Sequence, residues 1–130
     1  MEKIIIVGHG TPKEDANKLA DLTKALAITL KKQPEDIKYA YIKYGSPLIE
    51  ESIIECIKEN AKKIIIHPLF LFSGFHVNYD IPKIIKKFRK NYPHIEIIYT
   101  KPLGLHEKLL EIIKERIDEI KQDSFKNEAN

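Results

Sequence analysis

Residues 64–82, IIIHPLFLFSGFHVNYDIP, limit what this chain can become more than any other stretch. They begin as a continuous apolar, β-branched run, which reads as a strand covered on both faces. The run breaks at Ser73 and Gly74 and presents His76 just past the break. Asp80, Ile81 and Pro82 then read as a helix start, with Asp80 as N-cap and proline in the first turn. A buried strand, a glycine loop carrying a histidine, then a helix is how an open α/β sheet builds a site. A second instance stands at the N-terminus, where Ile4, Ile5, Ile6 and Val7 run into Gly8, His9, Gly10 and Thr11.

The rest of the chain falls into place around these two. Residues 3–7 predict a buried strand, and residues 12–32 a helix with Leu19, Leu22, Leu26 and Leu30 on one face, stopped by Pro34. Residues 36–43 alternate loosely, as an edge strand does. Ser46 and Pro47 read as N-cap and first position of a helix that buries Ile49, Ile53, Ile54 and Ile57. Residues 63–71 are the central strand, followed by a helix with Ile81, Ile84, Ile85 and Phe88 inward. Residues 95–100 are a fourth strand, and Leu109, Leu110, Ile113, Ile117 and Ile120 face inward on a last helix. The order β-α-β-α-β-α-β-α, with short connections, implies parallel crossovers in a three-layer α/β/α fold. Right-handed crossovers, with two helices on each face, select a four-stranded parallel sheet in the order 2-1-3-4. That order sets strands one and three side by side and brings His9 and His76 to one crevice. Residues 1–121 are expected to form a single domain, with a polar tail from 122 to 130.

Composition narrows the function. A chain of 130 residues with net charge +3 is too mildly basic to imply nucleic acid, and it has no arginine clusters, yet it suits an anionic small ligand. One cysteine, Cys56, excludes an internal disulfide framework and fits a reducing compartment. No apolar run is long enough for a membrane span, and no signal peptide is evident, so the expectation is a cytoplasmic protein without membrane or nucleic-acid partners.

Two histidines in a crevice without cysteines suit a borderline divalent ion such as Co²⁺, Ni²⁺, Fe²⁺ or Zn²⁺. They are too few for a closed structural zinc site, so the ion is transient or the substrate supplies further donors. A plainer reading has each histidine hydrogen-bonded to a loop carbonyl. His67 lies inside the third strand and reads as a satisfied near-core residue; His94 reads as solvated. His106 opens the last helix, from which it could look into the crevice. Asp80 is first an N-cap, and a proton relay to His76 is the sharper alternative. Tyr79 and Phe75 could wall a flat ligand or simply pack. Gly8 and Gly10 give G-x-G after a strand, but Lys13 stands where a dinucleotide fingerprint needs its third glycine. A phosphohistidine role for His9 conflicts with Gly8, where an arginine would be needed to hold phosphate. No nucleophile-elbow sequence is present.

VGHGT, HPLFLFSGFHVNYDIP and KPLGLHEKL together resemble the class II chelatases of tetrapyrrole synthesis, and among them the short CbiX type, the sirohydrochlorin cobaltochelatase family. The similarity runs from Ile4 to about Arg116. It implies the chelatase-like fold and a homodimer standing for the two halves of longer relatives. The metal-handling and catalytic pair would be His9 and His76, with Gly10, Thr11, Tyr44, Ser73, Gly74, Phe75 and Val77 lining the tetrapyrrole. The implied reaction is insertion of a divalent metal, Co²⁺ first and Ni²⁺ or Fe²⁺ as alternatives, into sirohydrochlorin, with no cofactor beyond that substrate metal. A carrier of metal or tetrapyrrole that never turns over is the rival reading. Thr11 and Pro12 replace the usual serine after GHG, and Lys43 and Tyr44 stand where many members have a carboxylate. The histidine-rich insertion of some nickel-handling members is missing.

Overall fold

The computed structural model describes residues 1–13 and 18–122. The four expected strand segments become parallel strands β1 (Glu2–Gly8), β2 (Ile37–Tyr41), β3 (Lys63–Pro68) and β4 (Glu96–Tyr99), in the order β2-β1-β3-β4. Helices α1 (Leu19–Leu30), α2 (Ile49–Lys58), α3 (Ile81–Asn91) and α4 (Glu107–Gln122) alternate with them. The fold is the expected three-layer α/β/α arrangement.

Alternation along β1 divides the core. Ile5 and Val7 join Ile64, Ile66 and Ile97 on one face, packed against Ile49, Ile53 and Cys56 of α2 and Ile81, Ile85 and Phe88 of α3. Ile4 and Ile6 lie on the other face with Ile37 and Tyr41, under Leu19 and Ala27 of α1. Ile5, Ile53, Ile64, Ile66 and Ile81 are all fully buried, and truncating any of them to alanine would cost about 2–5 kcal/mol. At the edge where β1 begins, the buried Lys3 is held by Asp36 at 2.8 Å and Glu59 at 3.0 Å. Burial disfavours its charge, but the two carboxylates more than offset that and raise its pKa. This charge cluster ties β1 to α2 and the start of β2, at the opposite edge from His9.

Three helix ends differ from the sequence-based expectation. Among the described residues α1 begins at Leu19, not near Pro12; Pro12 and Lys13 form a bend in which the Thr11 hydroxyl donates to the Lys13 carbonyl at 2.7 Å. α2 begins at Ile49, and its first turn is capped by Glu51, which accepts from the Leu48 N–H at 2.9 Å. Ser46 therefore caps nothing there, and the Ser46–Pro47 peptide is cis. The third difference, at α3, shapes the site.

The fourth helix also departs from expectation. α4 carries no buried residue, and Leu110, Ile113, Ile117 and Ile120 are 56%, 48%, 51% and 60% exposed. Among the described residues one sheet face thus holds α2 and α3, while the other is covered by α1 alone. The cause lies in the connection: the Leu103 and Gly104 N–H groups donate to the Phe70 and Leu71 carbonyls at 3.0 and 2.6 Å. These bonds fasten the chain to the loop after β3, so α4 departs from that edge and does not turn back over the sheet. Of the tail expected from 122 to 130, Gln122 is the last residue of α4, and residues 123–130 lie outside the described residues. Among the described residues no helix is long and apolar enough to cross a membrane.

Candidate metal-handling site

Strands β1 and β3 are direct neighbours, with Val7 opposite Pro68, so the loops that follow them leave the sheet together. The first is pinned to the segment after β2 by Ile42 N–H to the Gly8 carbonyl at 3.0 Å and Lys43 N–H to that of His9 at 3.3 Å. Gly10 makes this approach possible. Its φ is +86°, and a Cβ there would lie 2.3 Å from the Tyr44 carbonyl oxygen.

The second loop ends in a helix that starts well before Pro82. Phe75 is already helical, and residues His76–Asp80 form a π-helical turn that runs into α3. Its wide bond runs from the Ile81 N–H to the His76 carbonyl. Pro82 has no N–H, so backbone carbonyls one turn earlier lose a donor. The Tyr99 hydroxyl donates to one of them, the Val77 carbonyl, at 2.8 Å. Burial pushes that hydroxyl up to about 12, which keeps it a protonated donor. Asp80, at φ −65° and ψ −53°, is inside the helix and caps nothing. Its carboxylate instead accepts from His76 Nδ1 at 2.5 Å, one turn back on the same face. The N-cap reading of Asp80 is thereby corrected, and the alternative pairing with His76 is what the fold builds.

His9 meets His76 with ring centres 5.0 Å apart and planes at 60°. His9 Nδ1 faces the Gly10 carbonyl at 3.1 Å, which can only accept, so that nitrogen carries the hydrogen. The same logic applies to His76 Nδ1 against the carboxylate. Both rings then offer an unprotonated Nε2, the state in which imidazole binds a metal. An ion about 2.0–2.1 Å from each nitrogen lies about 3.2 Å from each ring centre, which sets the centres about 4.5–5.2 Å apart for ligand angles of about 90–110°. The observed 5.0 Å falls within that range. Among the described residues no group of three or more His, Cys, Asp or Glu side chains is placed to hold an ion. Two protein nitrogens leave most of a coordination sphere for water or for a substrate's own donors.

The surroundings are apolar and aromatic. Tyr44 lies 6.2 Å from the His9 ring. Phe75 lies 6.2 Å from the His76 ring and 5.3 Å from Tyr79. Phe75 and Tyr79 are 67% and 64% exposed, and Leu71 and Phe72 are exposed on the same loop, an unusual outlay of large apolar surface. Ser73 and Gly74 are exposed too, while the Val77 side chain is buried and belongs to the core. Thr11 and Tyr44 border a cleft of about 620 Å³ with Tyr39, Tyr41 and Ser46, on the β2 side of His9 and not over the pair. The other histidines are spent elsewhere. His67 Nδ1 bonds the Thr100 hydroxyl at 2.7 Å, as a satisfied near-core residue would, and its burial lowers its pKa. His106 accepts the Lys108 N–H at 3.1 Å, at the start of α4. His94 is exposed beside Tyr92. Cys56 is fully buried, its thiol pushed up to about 12, and offers no thiolate.

Comparison with known proteins agrees with this geometry. The family model described as CbiX matches residues 3–120. A sirohydrochlorin ferrochelatase from Priestia megaterium is 30% identical over 98% of this chain and 47% of its own length. A sirohydrochlorin cobaltochelatase from Methanococcoides burtonii is 32% identical over 90% of this chain and 95% of its own. The solved structure of SirB from Bacillus subtilis with Fe³⁺ superimposes with a TM-score of 0.82 at 27% identity, covering 92% of this chain and 47% of that one. The chain thus spans about half the length of the first of these relatives and of SirB. A family model matched over residues 3–120, and a relative 32% identical over 95% of its own length, place the chain in the CbiX family.

Proposed function

We propose that this chain is a sirohydrochlorin metal chelatase, inserting a divalent ion into an anionic tetrapyrrole. Co²⁺ is the first choice, with Ni²⁺ or Fe²⁺ as alternatives. The observation that carries the reading is the pair His9 and His76, each with Nδ1 engaged and Nε2 free, their centres 5.0 Å apart under a rim of exposed aromatic side chains. The relative from Methanococcoides burtonii, named as a cobaltochelatase, favours cobalt. The working unit is a homodimer, two copies of a chain that spans 47% of the length of a relative such as SirB. Residues 1–121 act as one domain. A cytoplasmic setting suits the single, buried thiol.

In this reading the two imidazoles hold M²⁺ while four ring nitrogens of the macrocycle displace water and then imidazole. Two pyrrole N–H protons leave as the neutral ring becomes a dianion around the ion, and no electron changes hands. His76 takes one proton at Nε2 once the metal has left it, because the Asp80 carboxylate at Nδ1 stabilises the imidazolium formed. Among the described residues His9 has no such carboxylate partner, and it passes its proton to solvent. Phe75, Tyr79 and Tyr44 offer faces for the flat ring, with Ser73 and Gly74 between them. Helix N-termini are poorly placed to hold the ring's carboxylates, since Pro82 is mid-helix and the Leu48 N–H is taken by Glu51. Exposed Lys13, Lys43 and Lys101 follow β1, β2 and β4 at the same sheet edge and carry that role.

The test uses sirohydrochlorin, Co²⁺ and catalytic amounts of protein, followed by the absorption change on insertion. Many turnovers per chain are expected, with His76→Ala slower by about 100-fold or more and still folded. A spectral change that stops at one equivalent would make the protein a carrier, and an undiminished rate in His76→Ala would remove His76 from the chemistry.

A further inference from the structure

Among the described residues two apolar surfaces lack a cover, and they match each other. The sheet face under α1 is open on its β3–β4 side: along β3, Ile64, Ile66 and Pro68 are buried, whereas Ile65 and His67, on the other face, are only half-buried. Ile98 of β4 is half-buried in the same way. Between this strip and α1 runs a groove of about 560 Å³, lined by Ile4, Ile6, Leu22, Leu26, Leu69 and Leu103. A doubly wound sheet seats a second helix there. The chain contains such a helix, since Leu109, Leu110, Ile113, Ile117 and Ile120 give α4 an apolar stripe at helical spacing. That stripe is exposed, because the connection through Leu103 and Gly104 is hydrogen-bonded to Phe70 and Leu71 and directs α4 away from its own sheet.

We infer that the groove is filled by α4 of a second copy of this chain, and that the homodimer is held by reciprocal exchange of this helix. The inference rests on the homodimer proposed above and says what holds it; it does not depend on the metal chemistry. A helix of 16 residues is about 24 Å long and about 10 Å across, and in a two-fold exchange each copy contributes one helix and one groove. The combined contact reaches the order of 800 Å² per partner typical of stable complexes. The polar side of α4, with Glu111, Lys114, Glu115, Arg116 and Asp118, stays in water, where Lys114 pairs with Asp118 at 2.7 Å.

Cross-linking of the full chain separates this arrangement from its rivals. Leu26→Cys is combined with Ile113→Cys, or with Ile117→Cys, and treated with a bis-maleimide long enough to tolerate one helical turn of offset; Cys56 is buried and stays unreacted. A covalent dimer is expected from at least one pair, together with a dimeric mass by light scattering. Ile113→Glu with Ile117→Glu should give a folded monomer with unchanged far-ultraviolet dichroism. Covalent monomer only, meaning that α4 folds back on its own sheet, would overturn the exchange. So would a dimer that persists in the double glutamate variant, or that cross-links with neither pair, and in those cases the homodimer itself would survive. A monomeric wild-type chain would overturn both.

Discussion

Removing the Asp80 carboxylate should weaken the site without disturbing the fold. Asp80 caps no helix and its carboxylate accepts from His76 Nδ1 at 2.5 Å, so Asp80→Ala deletes the group that fixes the ring and its tautomer. Loss of such an outer partner typically costs 10–100-fold in metal affinity, about 1.4–2.8 kcal/mol. The side chains of His76 and Asp80 are 28% and 34% exposed, so water replaces part of the lost bond and the lower end of that range applies. Titration of Co²⁺ by calorimetry should therefore show Kd rising about 10-fold in Asp80→Ala. Asp80→Asn keeps an acceptor carbonyl but loses the charge. It should bind Co²⁺ within about 3-fold of the parent while insertion slows further, because an imidazolium at His76 has lost its counter-charge. Thermal midpoints should stay within a few degrees in both variants. Unchanged Kd and rate in Asp80→Ala would refute the positioning role, and a large fall in midpoint would mean that the pair supports the fold instead.

Two further outcomes follow from the same coordinates. Gly10→Ala must adopt a left-handed conformation costing about 1–2 kcal/mol and must push its Cβ off the Tyr44 carbonyl; Co²⁺ binding should be lost well before the protein's secondary structure, and parent-like affinity would show that the two loops need not touch. His67, whose pKa burial lowers, is neutral in the fold but charges more readily when unfolded, so stability present above pH ~6.5 is lost as pH falls towards its folded value. His67→Gln should flatten the fall in thermal midpoint between pH 7 and pH 5, and an unaltered slope would assign the acid sensitivity to other groups.

Much of this was legible before any coordinates. Runs such as IIIV and IIIH can be satisfied only by burial, and strands alternating with helices leave few orders; 2-1-3-4, the order that right-handed crossovers select, sets the ends of strands one and three, with His9 and His76, side by side. The plainer reading of His9 was also correct as far as it went, since its Nδ1 does bond a loop carbonyl, and that bond is what frees Nε2. The site's finer construction was not legible. Asp-Ile-Pro has the signature of a helix start, yet the helix begins at Phe75, and a π-turn differs from an α-turn by one residue, which apolar spacing over five positions cannot register. The His-x-x-x-Asp spacing was the available signal, hidden by the competing capping role. For α4 the stripe was visible, but a stripe states only that something covers it. Hydrogen bonds from Leu103 and Gly104 decide where the helix points, and they depend on tertiary placement of Phe70 and Leu71.

The account stands or falls on whether His9 and His76 hold the same ion, and X-ray absorption of the Co²⁺-loaded protein, alongside calorimetry of His9→Ala, His76→Ala and the double variant, asks this directly. Two imidazoles per cobalt in the parent, one in each single variant, and a loss of affinity in the double variant smaller than the sum of the two single losses are predicted. One imidazole per cobalt in the parent, or losses in affinity that simply add across separate ions, would contradict it.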